Sequence, residues 1–246
     1  EVRASRDECQ YLLDETNRLF PSAHLTLDKI HFTYSGVRPL PYTPEGSTAA
    51  ITRSHHVIHH GDKGSVAGLY SVVGGKLTTY RSLSEEAVDK FVKVLKGQGR
   101  SDFRGCTTRT RPLPGYGELH LQPFTEQFTR RHGVSDQTAR HLTRVYGMRA
   151  EEMLRQSSIE ERQVLDPCTG AIGAEVVWAF EKEMAKNLAD LVWRRSMTGW
   201  RQGQAREFAE KALKILQARL SWSEERCSKE WDHYTKEATR FQVPQP

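Results

Sequence analysis

The sequence has few cysteines and no hydrophobic run long enough to cross a membrane. Its longest nearly apolar stretch, residues 66–75, is far shorter than the roughly 20 residues of a membrane-spanning helix. The four cysteines form no C-x-x-C pair, which excludes a zinc-ribbon signature and favours reduced thiols. No charged-then-apolar signal peptide opens the chain. These absences predict a cytoplasmic protein.

The sequence also lacks a concentrated block of charge of either sign. It carries 36 Lys and Arg against 31 Asp and Glu, and the net charge of +5 is spread along its length. A nucleic-acid-binding protein would more often gather its basic residues in one stripe or arm. We therefore expect no nucleic-acid partner, and retain anionic small molecules and an anionic membrane surface as partners.

What is present is a soluble globular composition of 246 residues, 37% hydrophobic and 27% charged. The chain begins without methionine, and Ser5 and Glu8 already have the spacing of a helix capping box. We therefore expect a piece of a longer protein.

The order of patterns predicts an α+β region followed by an all-α domain. A helix should begin after Ser5 and stop at Pro21, and the alternation of Ile30, Phe32 and Tyr34 predicts a strand. Two more strands, within residues 49–60 and 65–73, should be joined by the turn "GDKG", and a helix should follow from Leu77. The predicted divisions are residues 1–100, an aperiodic linker over 101–118, and a helical domain over 119–246.

In the second region, glycines and polar caps mark the ends of several helices. Helices are predicted to end at Gly133 and Gly147, to begin at Ser135, and to be capped by Asn187. The segment "GAEVVWAFEKEMA" places Val176, Val177, Phe180 and Met184 on one face. Two further helical patterns cover about residues 204–220 and 223–238.

The most informative stretch is "SVVGGKLTTYR", in which a strand runs into a helix through Gly74 and Gly75. Such a turn presents free backbone N–H groups and the positive end of the helix dipole. The glycines let a flat or anionic ligand approach the backbone, and Lys76 and Thr78 add a charge and a hydroxyl. The turn predicts a site for a phosphate or for the edge of an aromatic cofactor; tight packing alone is the alternative.

Two arginines precede this turn, Arg38 in "SGVRPL" and Arg53 in "AITRS". A guanidinium suits a bidentate grip on phosphate or carboxylate, whereas either arginine alone could simply form a surface ion pair. Together with the glycine turn, on neighbouring predicted strands, they indicate a binding site.

The motifs "YSGVRPL", "AITR" and "GGKLTTYR", in this order, closely resemble the FAD-dependent glycerol-3-phosphate dehydrogenases of the aerobic, respiratory type. The segment "EVVWAFEKEMAKNLADLVWRRSMTG" resembles the signature of that family's C-terminal helical domain. The resemblance covers nearly the whole chain. The signature positions are Glu175, Val176, Glu183, Ala185, Asp190, Arg194 and Arg195.

The resemblance implies a fold and an activity. The first region would be the tail of a flavin and substrate domain, with Gly74, Gly75, Lys76, Leu77 and Thr78 against FAD. Arg38, Arg53 and Lys76 would hold sn-glycerol 3-phosphate, which is oxidised to dihydroxyacetone phosphate. Electrons would pass to a quinone, or to oxygen in the related oxidases. Peripheral contact with the cytoplasmic face of the inner membrane is also implied, and a homodimer is a further expectation.

One departure from the family pattern is large. The G-x-G-x-x-G fingerprint that holds the FAD pyrophosphate is absent from this sequence. We therefore expect the chain alone neither to bind FAD tightly nor to turn over, and we assign no catalytic base. The alternative function is a non-catalytic helical module, from about residue 119, for dimerisation or membrane docking.

Other clusters are predicted to be structural. In "HHVIHH", His55 and His59 face one way on a strand and His56 and His60 the other, so no metal site is expected. His55 or His59 is the better placed to approach the substrate beside Arg53. Glu183, Asp190, Arg194 and Arg195 are interpreted as ion pairs that dock the helical domain, and the tryptophans as core.

Overall fold

A computed structural model describes residues 2–37, 54–61, 66–117 and 120–244 of the chain. The helices are α1 (Arg6–Leu19), α2 (Tyr80–Gly97), α3 (Leu121–His132), α4 (Asp136–Tyr146), α5 (Arg149–Gln156), α6 (Gly173–Glu181), α7 (Arg206–Leu220) and α8 (Glu224–Ala238). The strands are β1 (His56–His59), β2 (Tyr70–Val73), β3 (Val164–Asp166) and β4 (Ala171–Ile172). A π-helical segment covers Asp190–Arg195.

The chain forms two compact units. The larger consists of Glu1–Gly36 with Pro114–Pro246, and the smaller of Val37–Leu113. The sequence-based division placed residues 1–36 with the first region, whereas here they pack with the helices. Thr33 donates its backbone N–H to Phe241 O at 2.9 Å, and the ring of Phe32 lies 5.8 Å from that of Trp200. These contacts join residues more than 150 positions apart in the sequence, so no short sequence pattern predicts them.

The larger unit is a bundle with two adjoining hydrophobic clusters. One cluster gathers α6, the π-helical segment, α7 and α8 around residues such as Leu188, Leu191 and Phe208. The other gathers α3, α4 and α5 around Phe128 and Leu142. Trp178 and Trp193 are both buried, which confirms that these tryptophans fill the core.

The predicted helix ends are confirmed. Ser5 and Glu8 form the capping box of α1 through bonds of 3.1 and 2.8 Å. The Ser135 hydroxyl accepts the Thr138 N–H at the start of α4. The Asn187 side chain accepts the Asp190 N–H at 2.8 Å, where the π-helical segment begins. These caps are local hydrogen bonds, and for that reason short sequence patterns predict them.

Three predictions for the larger unit need correction. Ile30–Tyr34 was predicted as a strand but pairs with no strand among the described residues, because its partner is the Phe241 carbonyl. Met184 was placed on the apolar face of its helix, but α6 ends at Glu181 and Met184 is left-handed (φ 58°) and 74% exposed. Helix α5 and the β3–β4 ribbon, within a region predicted to be all helix, were missed.

The smaller unit contains a hairpin and one long helix. Strands β1 and β2 pair antiparallel with His56 opposite Val73 and His59 opposite Tyr70, which confirms the two predicted strands and their pairing. A 3-10 turn, Leu77–Thr79, connects β2 to α2. Among the described residues, no helix is both long and apolar enough to cross a membrane.

Candidate functional site

The candidate site is the turn between β2 and α2. Gly74 and Gly75 have φ values of +77° and +97°, a region of backbone conformation that side chains rarely adopt. A Cβ on Gly74 would lie 2.7 Å from the Ser54 carbonyl oxygen, and one on Gly75 would lie 3.2 Å from His55 Cβ. Glycine is therefore required here both by conformation and by the approach of the segment that enters β1.

One hydroxyl fixes the next four residues of the turn. Thr79 Oγ1 donates to the Lys76 carbonyl at 2.9 Å and accepts the Lys76 N–H at 3.3 Å, and the Thr79 N–H also bonds Lys76 O at 3.0 Å. The backbone N–H groups of Leu77 and Thr78 make no hydrogen bond to any described residue. Two free donors thus lie in the 3-10 turn that leads into α2.

The turn is open to its surroundings. Gly75, Lys76, Leu77 and Thr78 are all exposed, and the Leu77 side chain is 89% exposed. A flat ring bound here could pack against the apolar Leu77 side chain and accept hydrogen bonds from the free N–H groups beside it. The structure therefore brings the residues from Gly74 to Thr78 together on one accessible ledge.

A charged cluster braces the base of this ledge. His55 Nε2 lies 2.7 Å from Glu86 Oε2 on α2, and Lys90 Nζ lies 2.9 Å from Glu86 Oε1. Hydrogen bonds from Lys90 and from His55 lower the pKa of the Glu86 carboxyl from 4.5 to about 2. Glu86 thus remains ionised at neutral pH and ties the entry of β1 to α2.

The other predicted site residues fall into two groups. Arg38 and Arg53 lie outside the residues that the structure describes, and their predicted role stays a prediction. The histidines are described: the His59 ring stacks on Tyr70 with centroids 4.4 Å apart, and His60 Nε2 lies 2.8 Å from Ser71 Oγ. In the described ranges, no three metal-ligating side chains form a group.

Sequence reasoning treated Glu175 only as a signature position, and the structure makes it the centre of a buried network. Its side chain is 0% exposed. One oxygen accepts the Ile172 N–H at 2.8 Å, and the other accepts the Tyr146 hydroxyl at 2.9 Å and lies 2.8 Å from His141 Nε2. The sequence pattern that could have predicted its burial is a single acidic residue within an apolar run, three positions after the end of a strand.

This network shifts the pKa of two of its members. Burial alone would lower the pKa of His141, but the charge of Glu175 and their hydrogen bond outweigh it and raise that pKa above 6.5. Burial, and then the same carboxylate, raises the pKa of Tyr146 well above 10. The raised pKa shows that Glu175 favours the protonated form of His141, and the hydrogen-bonded pair links α4 to α6.

The other acidic and basic signature residues pair differently from the prediction. Arg194 donates to Asp190 at 3.0 Å, and because both residues lie in the π-helical segment, this ion pair does not connect two elements. Glu183 pairs with Arg149 of α5 at 3.3 Å, which does join two elements. Arg195 donates to the Glu183 backbone carbonyl at 2.6 Å and to the Arg194 carbonyl at 3.0 Å rather than to a carboxylate.

Comparison with known proteins gives consistent matches. Residues 106–227 match the family model of the C-terminal domain of alpha-glycerophosphate oxidase. The chain is 37% identical over 239 residues to a glycerol-3-phosphate dehydrogenase of Synechocystis, which covers 95% of this chain and 42% of that protein. It is 34% identical over 200 residues to the aerobic glycerol-3-phosphate dehydrogenase of Escherichia coli, covering 80% of this chain and 38% of that protein.

A solved structure gives the same picture for the fold. The X-ray structure of the glycerol-3-phosphate dehydrogenase from Bacillus halodurans, complexed with FAD, superposes with a TM-score of 0.73 at 23% identity. The match covers 98% of this chain and 46% of that one. The chain therefore shares the fold of part of such a protein, and it spans less than half the length of the relatives it matches.

Proposed function

We propose that the chain is part of an FAD-dependent oxidoreductase of the glycerol-3-phosphate dehydrogenase family. The proposed reaction is the oxidation of sn-glycerol 3-phosphate to dihydroxyacetone phosphate. The observation that carries the proposal is the 37% identity along 95% of the chain, which extends over the glycine turn as well as the helices.

The geometry of the turn fits a flavin. Glycines at 74 and 75 let the segment that enters β1 pack against the turn, where a Cβ would meet Ser54 and His55, and this packing fixes the backbone of the ledge. The free N–H groups of Leu77 and Thr78 and the exposed Leu77 side chain offer polar and apolar contacts side by side. These residues would hold the cofactor by its ring.

When bound, FAD supplies the hydride acceptor. The chain's own residues would bind the flavin and polarise it. The Leu77 and Thr78 N–H groups would donate to a carbonyl at the edge of the flavin ring, and the α2 dipole would favour negative charge there. Lys76 adds a positive charge on the same ledge. We propose that Arg38 and Arg53 grip the substrate's phosphate and orient its hydroxyls.

The electrons taken from the substrate must pass from FAD to a further acceptor. We propose a quinone, reached by peripheral contact of a cytoplasmic enzyme with the inner membrane, and a homodimeric assembly. Oxygen is the second candidate acceptor, because the family model that residues 106–227 match is named after an oxidase. Oxygen uptake with substrate in a quinone-free preparation distinguishes the two.

A second candidate function is a non-catalytic module for dimerisation or membrane docking. The concentration of buried side chains in α3–α8 favours a part that folds as a unit. Light scattering and liposome co-sedimentation of residues 119–246 test it. A monomer that ignores anionic liposomes would remove this candidate.

The main proposal is tested on the complete polypeptide that contains this chain. Its visible spectrum is recorded before and after anaerobic addition of sn-glycerol 3-phosphate, and a flavin spectrum that bleaches is expected. A colourless protein, or a flavin indifferent to the substrate, would refute the function. Residues 1–246 alone, which carry no G-x-G-x-x-G, are expected to remain colourless.

The substrate grip is tested with Arg38→Lys in the same protein. A lysine keeps the charge and loses the bidentate geometry, so the substrate concentration for half-maximal rate should rise by a factor of about ten or more. Unchanged kinetics would remove Arg38 from the site.

A further inference from the structure

A groove of about 630 Å³ opens on the larger unit, between α4, α5, the end of α6 and the π-helical segment. Its volume is within the range of small-ligand sites. Five cations and one carboxylate line it, with three other side chains. The lining residues are Arg144, Val145, Tyr146, Arg149, Lys182, Glu183, Arg194, Arg195 and Met197.

The positive charge of this groove is only partly neutralised. Glu183, the single acid of the lining, is already paired with Arg149. Arg195 donates only to backbone carbonyls, and Arg144 and Lys182 are exposed and bond no described residue. Three cations from three different elements therefore face the groove without a carboxylate.

Two cations of the groove, Arg149 and Arg195, are held in place by contacts with the wall. The Arg149 guanidinium lies over the Trp178 ring, 5.1 Å from its centroid, besides its bond to Glu183. Arg195 is fixed by two hydrogen bonds to carbonyl oxygens, of 2.6 and 3.0 Å. Tyr146 is anchored below by the buried Glu175. Positive groups held in place lose less conformational entropy when they bind an anion.

Strained backbone also borders the groove. Met197, which lines it, and Met184, next in the chain to Glu183, have φ values of +60° and +58°. Left-handed conformations in residues other than glycine cost free energy and collect at binding sites. Cations in the last turn of a helix complement its dipole, which accounts for Arg144 on α4 as well as for Arg194 and Arg195, but not for this strain.

We propose that this groove binds a phosphate-bearing small molecule, with Arg195 as its fixed contact and Arg144 and Lys182 as its mobile ones. A guanidinium presents paired N–H donors that match phosphate oxygens, and an ammonium adds a point charge. This site is additional to the substrate grip proposed for Arg38 and Arg53, and it lies wholly within the helical unit.

The probe is inorganic phosphate, titrated into the full chain at constant ionic strength and followed by ³¹P line broadening. Arg38→Gln/Arg53→Gln is the background, so that the proposed substrate grip does not contribute. In that background, Arg144→Gln/Lys182→Gln should weaken phosphate binding by about tenfold. The matched control is Arg155→Gln/Lys214→Gln, which removes the same charge at exposed helical positions outside the groove.

Equal affinity of the groove variant and the control would overturn the proposal, as would the absence of saturable binding. A second arm uses vesicles of phosphatidylglycerol and of phosphatidylcholine. Binding to the anionic vesicles that free phosphate does not compete away would assign the groove to a membrane surface and likewise overturn the proposal. Because the readout is binding and not turnover, failure here leaves the proposed oxidoreductase function untouched.

Discussion

The two units of this chain differ most in how much they bury. The larger unit holds two clusters of fully buried side chains, whereas Ala87 is the one buried residue among the described residues of the smaller unit. The smaller unit nonetheless carries the glycine turn, the free N–H groups and several exposed apolar side chains, among them Leu77 and Tyr80. Burial is concentrated in the larger unit, whereas the predicted cofactor turn lies in the unit that buries least.

The largest expected effect belongs to the buried carboxylate. Glu175→Ala leaves His141 without its counter-charge and Tyr146 without its acceptor, so we expect a loss of about 3–5 kcal/mol in the free energy of unfolding. Urea denaturation measures this loss. Glu181→Ala, at the exposed end of the same helix, should cost less than about 0.5 kcal/mol. Similar losses for the two variants would show that the network does not stabilise the unit.

The next effect tests whether the glycine turn is shaped by close packing or only by its backbone conformation. Gly74 and Gly68 have nearly equal φ values, +77° and +76°, but of the two only the Cβ of a substituted Gly74 would meet an atom of the described residues, the Ser54 oxygen at 2.7 Å. Gly68→Ala should cost about 1–2 kcal/mol from conformation alone. Gly74→Ala should cost about 1 kcal/mol more.

Hydrogen exchange of the β1 and β2 amides reports the stability of this hairpin directly, without relying on global unfolding. If the two alanine variants lose protection equally, the approach of Ser54 does not constrain the turn. The comparison is internal to one hairpin, and the larger unit serves as an unaffected reference in the same experiment.

How far the sequence predicts this molecule depends on the range of each interaction. The helix caps at Ser5 and Ser135 and the β1–β2 pairing involve residues close in sequence, and patterns predicted them. The docking of Phe32 on Trp200 and of His141 on Glu175 joins distant residues, and no local pattern predicts either. Met184 was misplaced because its apolar character fits a helical face, while the chain leaves the helix three residues earlier.

The candidate site shows the same division. The residues from Gly74 to Thr78 are contiguous, and the sequence predicted them as one turn, which the structure shows as an exposed ledge. The bracing of that ledge by Glu86, thirty-one residues after His55, was not predicted. Family resemblance suggested the signature residues, but only the structure distinguishes the buried Glu175 from the more exposed pair of Asp190 and Arg194.

A pH-dependent effect is expected in the larger unit. The pKa of His141 is raised above 6.5 in the folded chain, so its contribution to stability is complete below pH 6.5 and is lost as the pH rises through the folded value. His141→Gln should therefore be most destabilising below pH 6.5, and the deficit should shrink at higher pH. Glu175, Tyr146 and Asp166 are the titratable groups that surround it.

Urea midpoints of the wild-type and variant chains across this pH range measure the effect. His233→Gln, on the exposed face of α8, is the control and should show no such trend. A deficit that is constant with pH would mean that His141 contributes by packing and not by charge.

The smallest effect belongs to the charged cluster under the ledge, and it has the opposite pH dependence. The pKa of Glu86 is lowered to about 2, so the attraction it provides is present above pH 4.5 and disappears as the pH falls through 2. Because Glu86 is an exposed side chain, solvent and salt screen this attraction, and Glu86→Gln should change stability little. It should instead free His55, whose ring resonances would shift in the NMR spectrum, while Asp89→Asn on the same helix leaves them unchanged. A His55 signal indifferent to Glu86→Gln would show that the ledge is held by its glycines and by Thr79 alone, and that the unit with the exposed chemistry needs no electrostatic brace.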